Sequence, residues 1–141
     1  MRYKGVFRPR NISKYRGDYR KIIYRSLMEL RFMQKCDEDP NILRWASEEV
    51  IIPYLSPLDG KCHRYFPDFW IKTTTRETLI EIKPKVQTRP PRAKPNKRRY
   101  LNEMRTWYVN EAKWKAAKTY CDKYDWTWAI LTEKDISLLT K

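Results

Sequence analysis

The apolar positions of the chain change period several times, and each change marks an element. Over residues 18–35, Tyr19, Ile22, Ile23, Leu27, Leu30 and Met33 recur at spacings of three and four, with the small Ser26 among them. That spacing predicts an amphipathic helix with Asp18 as its N-cap. Glu29 falls on or beside the apolar stripe rather than among Arg20, Arg25 and Arg31, so its carboxylate needs a partner. The acidic run at 36–41 ends the helix as a solvated turn, because Pro40 disfavours helix before it.

Residues 42–54 then predict a strand limited by Pro53, and residues 56–60, Ser-Pro-Leu-Asp-Gly, a turn. Two strands follow, RYFPDFWI over 64–71 and TLIEIK over 78–83. The polar break at 73–76 is short enough to join them as antiparallel neighbours. Residues 84–99 hold four prolines, seven basic residues and no acid, which predicts an extended basic loop.

Residues 100–124 predict helix in two pieces, the first marked by Leu101, Met104 and Tyr108, with Asn110 available to cap the second. Trp114, Ala117, Cys121 and their neighbours Ala116, Tyr120 and Tyr124 form its broad apolar face, which suits a core. The run WTWAILT at 126–132 has the length and density of a central buried strand. Thr132 and Asp135 resemble a capping box that opens a short last helix over 133–139. The order α-β-β-β-α-β, with a short helix after it, predicts an α/β fold, a mixed sheet flanked by helices.

Composition refines this picture. A chain of 141 residues, 41% hydrophobic, with six Trp and ten Tyr, suits one compact domain, here residues 18–141. Residues 1–17 hold Arg2, Lys4, Arg8, Arg10, Lys14 and Arg16 without an acid, and predict a loose basic arm that settles on phosphates. The formal charge of +14 and pI near 9.8 favour a polyanionic partner, nucleic acid above all. A membrane is not expected, since no basic amphipathic helix with a wide apolar face stands out. With no signal-peptide hydrophobic region, an intracellular protein is expected. Cys36, Cys62 and Cys121 are odd in number and widely spaced, which favours reduced thiols. Cys62-His63 alone, with one His in the chain, does not assemble a closed zinc site.

The chemistry lies in the two strands at the centre. Side chains alternate along a strand, so Leu79, Glu81 and Lys83 share one face of TLIEIK, and Thr78, Ile80 and Ile82 the other. Antiparallel pairing would bring Asp68 near Glu81, so that two carboxylates and an ammonium converge. Facing carboxylates repel unless a cation lies between them, and hard oxygen ligands suit Mg²⁺ or Mn²⁺, one or two ions. Such an ion acidifies water and stabilises charge on a phosphoryl oxygen, which is equipment for phosphodiester hydrolysis. The ordinary alternative is a solvated strand face with a cross-strand ion pair.

Pro67-Asp68 followed by Glu81-Ile82-Lys83 resembles the signature of the PD-(D/E)XK nucleases, and the wording HRYFPDF before LIEIKPK is similar to TnsA-type endonuclease subunits. The resemblance implies a restriction-endonuclease-like fold and a Mg²⁺-dependent deoxyribonuclease. It implies catalytic roles for Asp68, Glu81, Lys83 and Glu29, with metal held by Asp68, Glu81, Glu29 and the backbone carbonyl of Ile82. Glu48 and Glu49 compete with Glu29 as the third acid. Duplex DNA would lie on Arg8, Arg10, Lys14 and Arg16 of the arm and on Lys85, Arg89, Arg92, Lys94, Lys97, Arg98 and Arg99 of the loop, through phosphates.

As a whole chain it also resembles small phage nucleases of virion assembly. That implies processing of packaged DNA, phage head, portal or neck proteins as partners, and a place in the host cytoplasm or on the virion. The alternatives are an endonuclease for transposon ends or branched DNA, and a non-catalytic head component that grips DNA.

Overall fold

A computed structural model describes residues 4–139. In chain order the elements are strands β1 (Gly5–Val6) and β2 (Ile23–Tyr24), helix α1 (Leu27–Glu38), strands β3 (Arg44–Ser47), β4 (Ile52–Leu55), β5 (Cys62–Tyr65), β6 (Phe69–Lys72) and β7 (Glu77–Ile82), helix α2 (Lys97–Tyr124), strand β8 (Thr127–Leu131) and helix α3 (Glu133–Leu139). The main sheet has the order β3-β6-β7-β8. β3, β6 and β7 pair antiparallel, and β8 joins β7 in parallel after the crossover through α2. The predicted mixed α/β order is therefore present, with a β4-β5 hairpin inserted in it.

Alternation along the strands sorts the interior into two cores. Phe69, Ile80 and Ile82 face one side, with Trp45, Phe32, Met33 and Ile136. Trp70 and Leu79 face the other, with Tyr54 and Tyr65 of the hairpin and Trp114, Ala117 and Cys121 of α2. Both faces of the sheet are thus covered, which is why β7 is buried at every position from Thr78 to Ile82.

Several elements differ from the sequence pattern. The helix predicted over 18–35 begins only at Leu27, where the Ser26 hydroxyl accepts from the Glu29 N–H. Asp18 caps a single 3₁₀ turn, Tyr19–Lys21, and Ile23–Tyr24 pairs with Gly5–Val6. The basic segment before it is correspondingly not a loose arm over residues 4–17. Phe7 and Tyr15 are buried and stand edge-on to Trp45, with ring centroids 5.8 and 4.7 Å away. Such pairs contribute ~0.5–1.5 kcal/mol each beyond burial, enough to hold a short segment down.

The strand predicted over 42–54 is two strands. The chain leaves the sheet at Glu48, whose φ of 55° breaks the extended run, and Ile52–Leu55 pairs with Cys62–Tyr65 instead. The predicted strand 64–71 is also divided, with buried Pro67 at the passage from the hairpin to the main sheet, where a missing N–H costs no ladder bond. α2 is one helix rather than two, capped by Asn96, and Asn110 lies buried within it. Its first turn takes Lys97 to Arg99 out of the basic loop, and Lys85–Thr88 of that loop forms a 3₁₀ turn. β8 is half-buried at the sheet edge rather than central, because its parallel crossover places it outside β7. At α3 the expected cap is present: the Thr132 N–H and hydroxyl donate to Asp135 Oδ2 at 2.7 and 3.2 Å.

All three cysteines are free, Cys36 and Cys121 being buried and Cys62 exposed. Among the described residues no helix is long and apolar enough to cross a membrane.

Candidate active site

The register Phe69↔Ile80, continued one step toward the start of β6, sets Asp68 opposite Glu81. Both point to the α2 side of the sheet, as Trp70 and Leu79 do. Asp68 Oδ2 accepts the Ile82 N–H at 2.8 Å, and the Asp68 carbonyl accepts the Glu48 N–H at 3.1 Å. The left-handed turn at Glu48 therefore fixes the acid's backbone, and β7 fixes its side chain. Lys83 Nζ stands 3.8 Å from Glu81 Oε2, on the same face. The convergence expected from strand period is realised.

The electrostatics of the pair are strained. Burial pushes the Asp68 carboxyl well above its ordinary value, the adjacent Glu81 carboxylate pushes it further, and the Ile82 N–H works against them. Glu29 raises it as well, by less than Glu81 does. Glu81 is 6% exposed and its Oε1 has no hydrogen-bond partner. Beside it lies the Tyr65 hydroxyl, driven far upward by burial and then by the Glu81 charge, so that it remains a proton donor. Tyr65 is close enough to feel Glu81 and the Trp114 indole, yet its hydroxyl closes a hydrogen bond with neither. Trp114 Nε1 is equally without a partner.

Buried polar atoms left open in this way are uncommon and call for an ion, a water or a reactive role. An orphaned carboxylate oxygen facing a second, partly buried acid fits a hard divalent cation. The fit is of two acids rather than three: among the described residues no group of three His, Cys, Asp or Glu side chains is gathered to hold a metal. Glu29 sits in the first turn of α1, its Oε2 taking the Ser26 hydroxyl at 3.1 Å, and burial raises its pKa. Glu48 is ion-paired with Arg25, and the Glu49 carboxylate lies against Gly17. Of the three competing acids, Glu29 is the one whose charge stands among the main influences on Asp68.

The basic residues separate into two sets. Lys14 is occupied, its ammonium donating to the carbonyls of Asp37 and Asp39 at 3.0 and 2.8 Å where α1 ends. Arg16 lies over the Trp70 ring at 5.1 Å, while Arg8 and Arg10 are exposed. Lys94 pairs with Glu103 at 2.7 Å. Arg89, Arg92, Lys97, Arg98 and Arg99 are exposed, and Lys85 is crowded by the like charge of Lys134, which lowers its pKa. Lys97, Arg98 and Arg99 crowd the first turn of α2, which holds no acid; that end of a helix favours anions, so a phosphate there relieves a repulsion.

The strand patterns did not disclose Tyr65 and Trp114 as neighbours of the acids. Tyr65 precedes Asp68 by three positions on what reads as one strand, and only the change of sheet at Pro67 brings it round to the same face. Trp114 carries no signal beyond its place on the apolar stripe of α2.

A half-buried and a buried acid facing each other on a sheet hairpin, with a lysine beside them, between two helical layers, make the architecture of a nuclease core, and the chain belongs to the TnsA-like endonuclease N-terminal family, which it matches over residues 39–133. That stretch takes in Asp68, Glu81 and Lys83 and leaves Glu29 outside. A protein of Enterobacteria phage T4, described as a head completion nuclease, is 46% identical over 146 residues, covering 99% of this chain and 97% of its own. No solved structure matches the chain.

Proposed function

We propose that the chain is a divalent-metal-dependent DNA endonuclease that processes packaged DNA during phage head completion. The supporting observation is the facing pair Asp68 and Glu81, the first partly buried and the second buried, with Glu81 Oε1 unpartnered and the Lys83 ammonium alongside. Asp68, Glu81 and the Ile82 carbonyl would hold Mg²⁺ or Mn²⁺, and Glu29, whose charge reaches Asp68, would orient water beside them. When bound, the ion supplies Lewis-acid stabilisation of charge on the scissile phosphate and makes water a better nucleophile.

The protein's own groups do the rest. The Ile82 N–H fixes one oxygen of Asp68 and so orients the other. Lys83 neutralises charge on a phosphate oxygen, and Trp70, Leu79 and Trp114 keep bulk water from the buried side, where charges act more strongly. The exposed cations of the loop and of the α2 start grip the DNA backbone without base readout. The T4 relative's description as a head completion nuclease supports a role at the filled head, with head, portal or neck proteins as partners and a place in the host cytoplasm or on the virion.

Purified protein with supercoiled and linear plasmid tests the reading. Cutting should require Mg²⁺ or Mn²⁺, stop with chelator, and vanish in Asp68→Ala with DNA binding retained. Binding without cutting in any metal would instead leave a DNA-gripping head component.

A further inference from the structure

From Lys85, two residues along the chain from Lys83, a cleft of about 1200 Å³ opens between residues 85–99 and one face of α2. The α2 face repeats at three-and-four spacing through Arg99, Asn102, Glu103, Thr106, Trp107 and Asn110. Further along the helix the same stripe turns apolar at Trp114 and enters the core. Two kinds of surface meet in the cleft. Arg89, Arg92, Arg98 and Arg99 form a basic rim. Trp107 and Pro91, half-buried, and Asn110, buried, line the cleft's less exposed part, beside exposed Pro90.

Asn110 is the informative residue. It is 9% exposed, it lines the cleft, and among the described residues its side-chain amide makes no hydrogen bond. Its amide presents both a donor and an acceptor, the complement of a base edge. Of the two acids in the cleft, Glu103 is paired with Lys94 and Glu133 lies by the Lys85 charge, so neither opposes an anionic ligand freely.

A duplex can reach the rim but not the interior, because its bases are stacked inside and its outer surface is phosphate. An unpaired strand can do both: its phosphates lie on arginines while its bases stack on an indole and prolines. The volume exceeds the ~300–1,000 Å³ that takes a drug-sized molecule, so the cleft suits a short stretch of strand rather than a single base.

We propose that this cleft binds unpaired single-stranded DNA, so that the enzyme prefers duplex ends carrying a single-stranded overhang over blunt ends. The proposal takes its substrate class from the endonuclease reading, and its test separates the two. Unmodified protein in chelator is titrated, at one salt concentration, with a blunt duplex, the same duplex bearing a six-nucleotide overhang, and that duplex with an abasic overhang. The expected result is about tenfold tighter binding of the overhang, lost when the bases are absent, in line with ~1–3 kcal/mol per stacked base. Asn110→Ala should lose most of that preference while still cutting blunt duplex in Mg²⁺. Equal affinity for all three probes, an abasic overhang as good as the natural one, or displacement of the overhang probe by polyglutamate as efficiently as by oligothymidine would each overturn it. Base-dependent binding by a protein that cuts nothing in any metal would uphold the cleft and refute the nuclease.

Discussion

Asp68 and Glu81 face each other across the β6-β7 ladder, but only Asp68 is anchored, by the Ile82 N–H at 2.8 Å, while Glu81 Oε1 has no partner. The fold thus holds together two acids that would separate if free. A cation binding this arrangement and not the unfolded chain stabilises the protein by mass action, by ~2.7 kcal/mol at a hundredfold excess over Kd. Mg²⁺ or Mn²⁺ should therefore raise Tm by several degrees in a thermal melt. In Asp68→Asn the amide can accept the Ile82 N–H and donate to Glu81, so the metal-free Tm should rise, the metal-induced shift disappear, and cleavage fall at least ~10²-fold.

The pH dependence has a definite sign. Burial, and then Glu81, raise the folded-state pKa of Asp68 above its unfolded value. Between those two values the native state binds more protons than the unfolded chain, so metal-free stability is fully present below the unfolded pKa and declines as pH rises through the folded one. Metal competes with that proton, so cleavage should increase with pH over the same window, and more Mn²⁺ should move the rise to lower pH. Melts in chelator and a pH profile of kcat/KM at two metal concentrations check both halves; a profile unmoved by metal would separate the proton from the ion site.

Lys83 stands 3.8 Å from Glu81 Oε2 and is half-buried, too loosely paired for its main role to be structural. Lys83→Ala should leave Tm within a degree or two and duplex affinity in chelator nearly unchanged, while lowering kcat by ~10²–10³, the usual cost of one donor to developing charge. Lys83→Arg should not restore it, since a planar fork does not replace a compact ammonium.

How far the sequence could be read depended on whether a pattern was local. The Asp68 and Glu81 pairing was legible because a short polar break sets the register, and the period of two sets the face. The start of α1 was not, because Tyr19, Ile22 and Ile23 fit a helical period by chance while Ile23–Tyr24 takes its partner from Gly5–Val6, far up the chain. Ser26 fits the stripe as a small member, although it is the cap. The division of β3 from β4 rests on one left-handed residue, Glu48, a conformation that glutamate seldom adopts and composition does not announce. Trp114 and Tyr65 meet the acids only through α2 packing on the hairpin, a contact with no signature in either segment.

The third acid can be separated from its competitors through the α1 cap. Ser26→Ala removes the acceptor of the Glu29 N–H and the donor to Glu29 Oε2, and should cost ~1 kcal/mol of stability by denaturant melt. Glu29→Gln should weaken metal binding ~10–100-fold, read from the Mn²⁺ dependence of cutting. Glu48→Gln, which loses an exposed pair with Arg25, should leave that dependence unchanged. Reversal of the last two would give the role to Glu48.

The basic residues divide into those tied to the fold and those left exposed, and salt titration tests whether the exposed ones meet phosphate. Lys14 is committed to the carbonyls of Asp37 and Asp39 at the end of α1, so Lys14→Ala removes support from the helix terminus rather than a phosphate contact. It should lower Tm and leave the slope of log K against log salt as it was. Arg98 and Arg99 are exposed on an α2 turn without acids, where phosphate is favoured by the dipole as well as by their own charge. Arg98→Ala and Arg99→Ala should each reduce the slope by ~0.9 and leave Tm unchanged or slightly higher, since each relieves like-charge crowding. Fluorescence anisotropy with a labelled duplex in chelator, at four salt concentrations, reads the slopes; a Lys14→Ala slope reduced as much as that of Arg99→Ala would move Lys14 into the DNA-binding set.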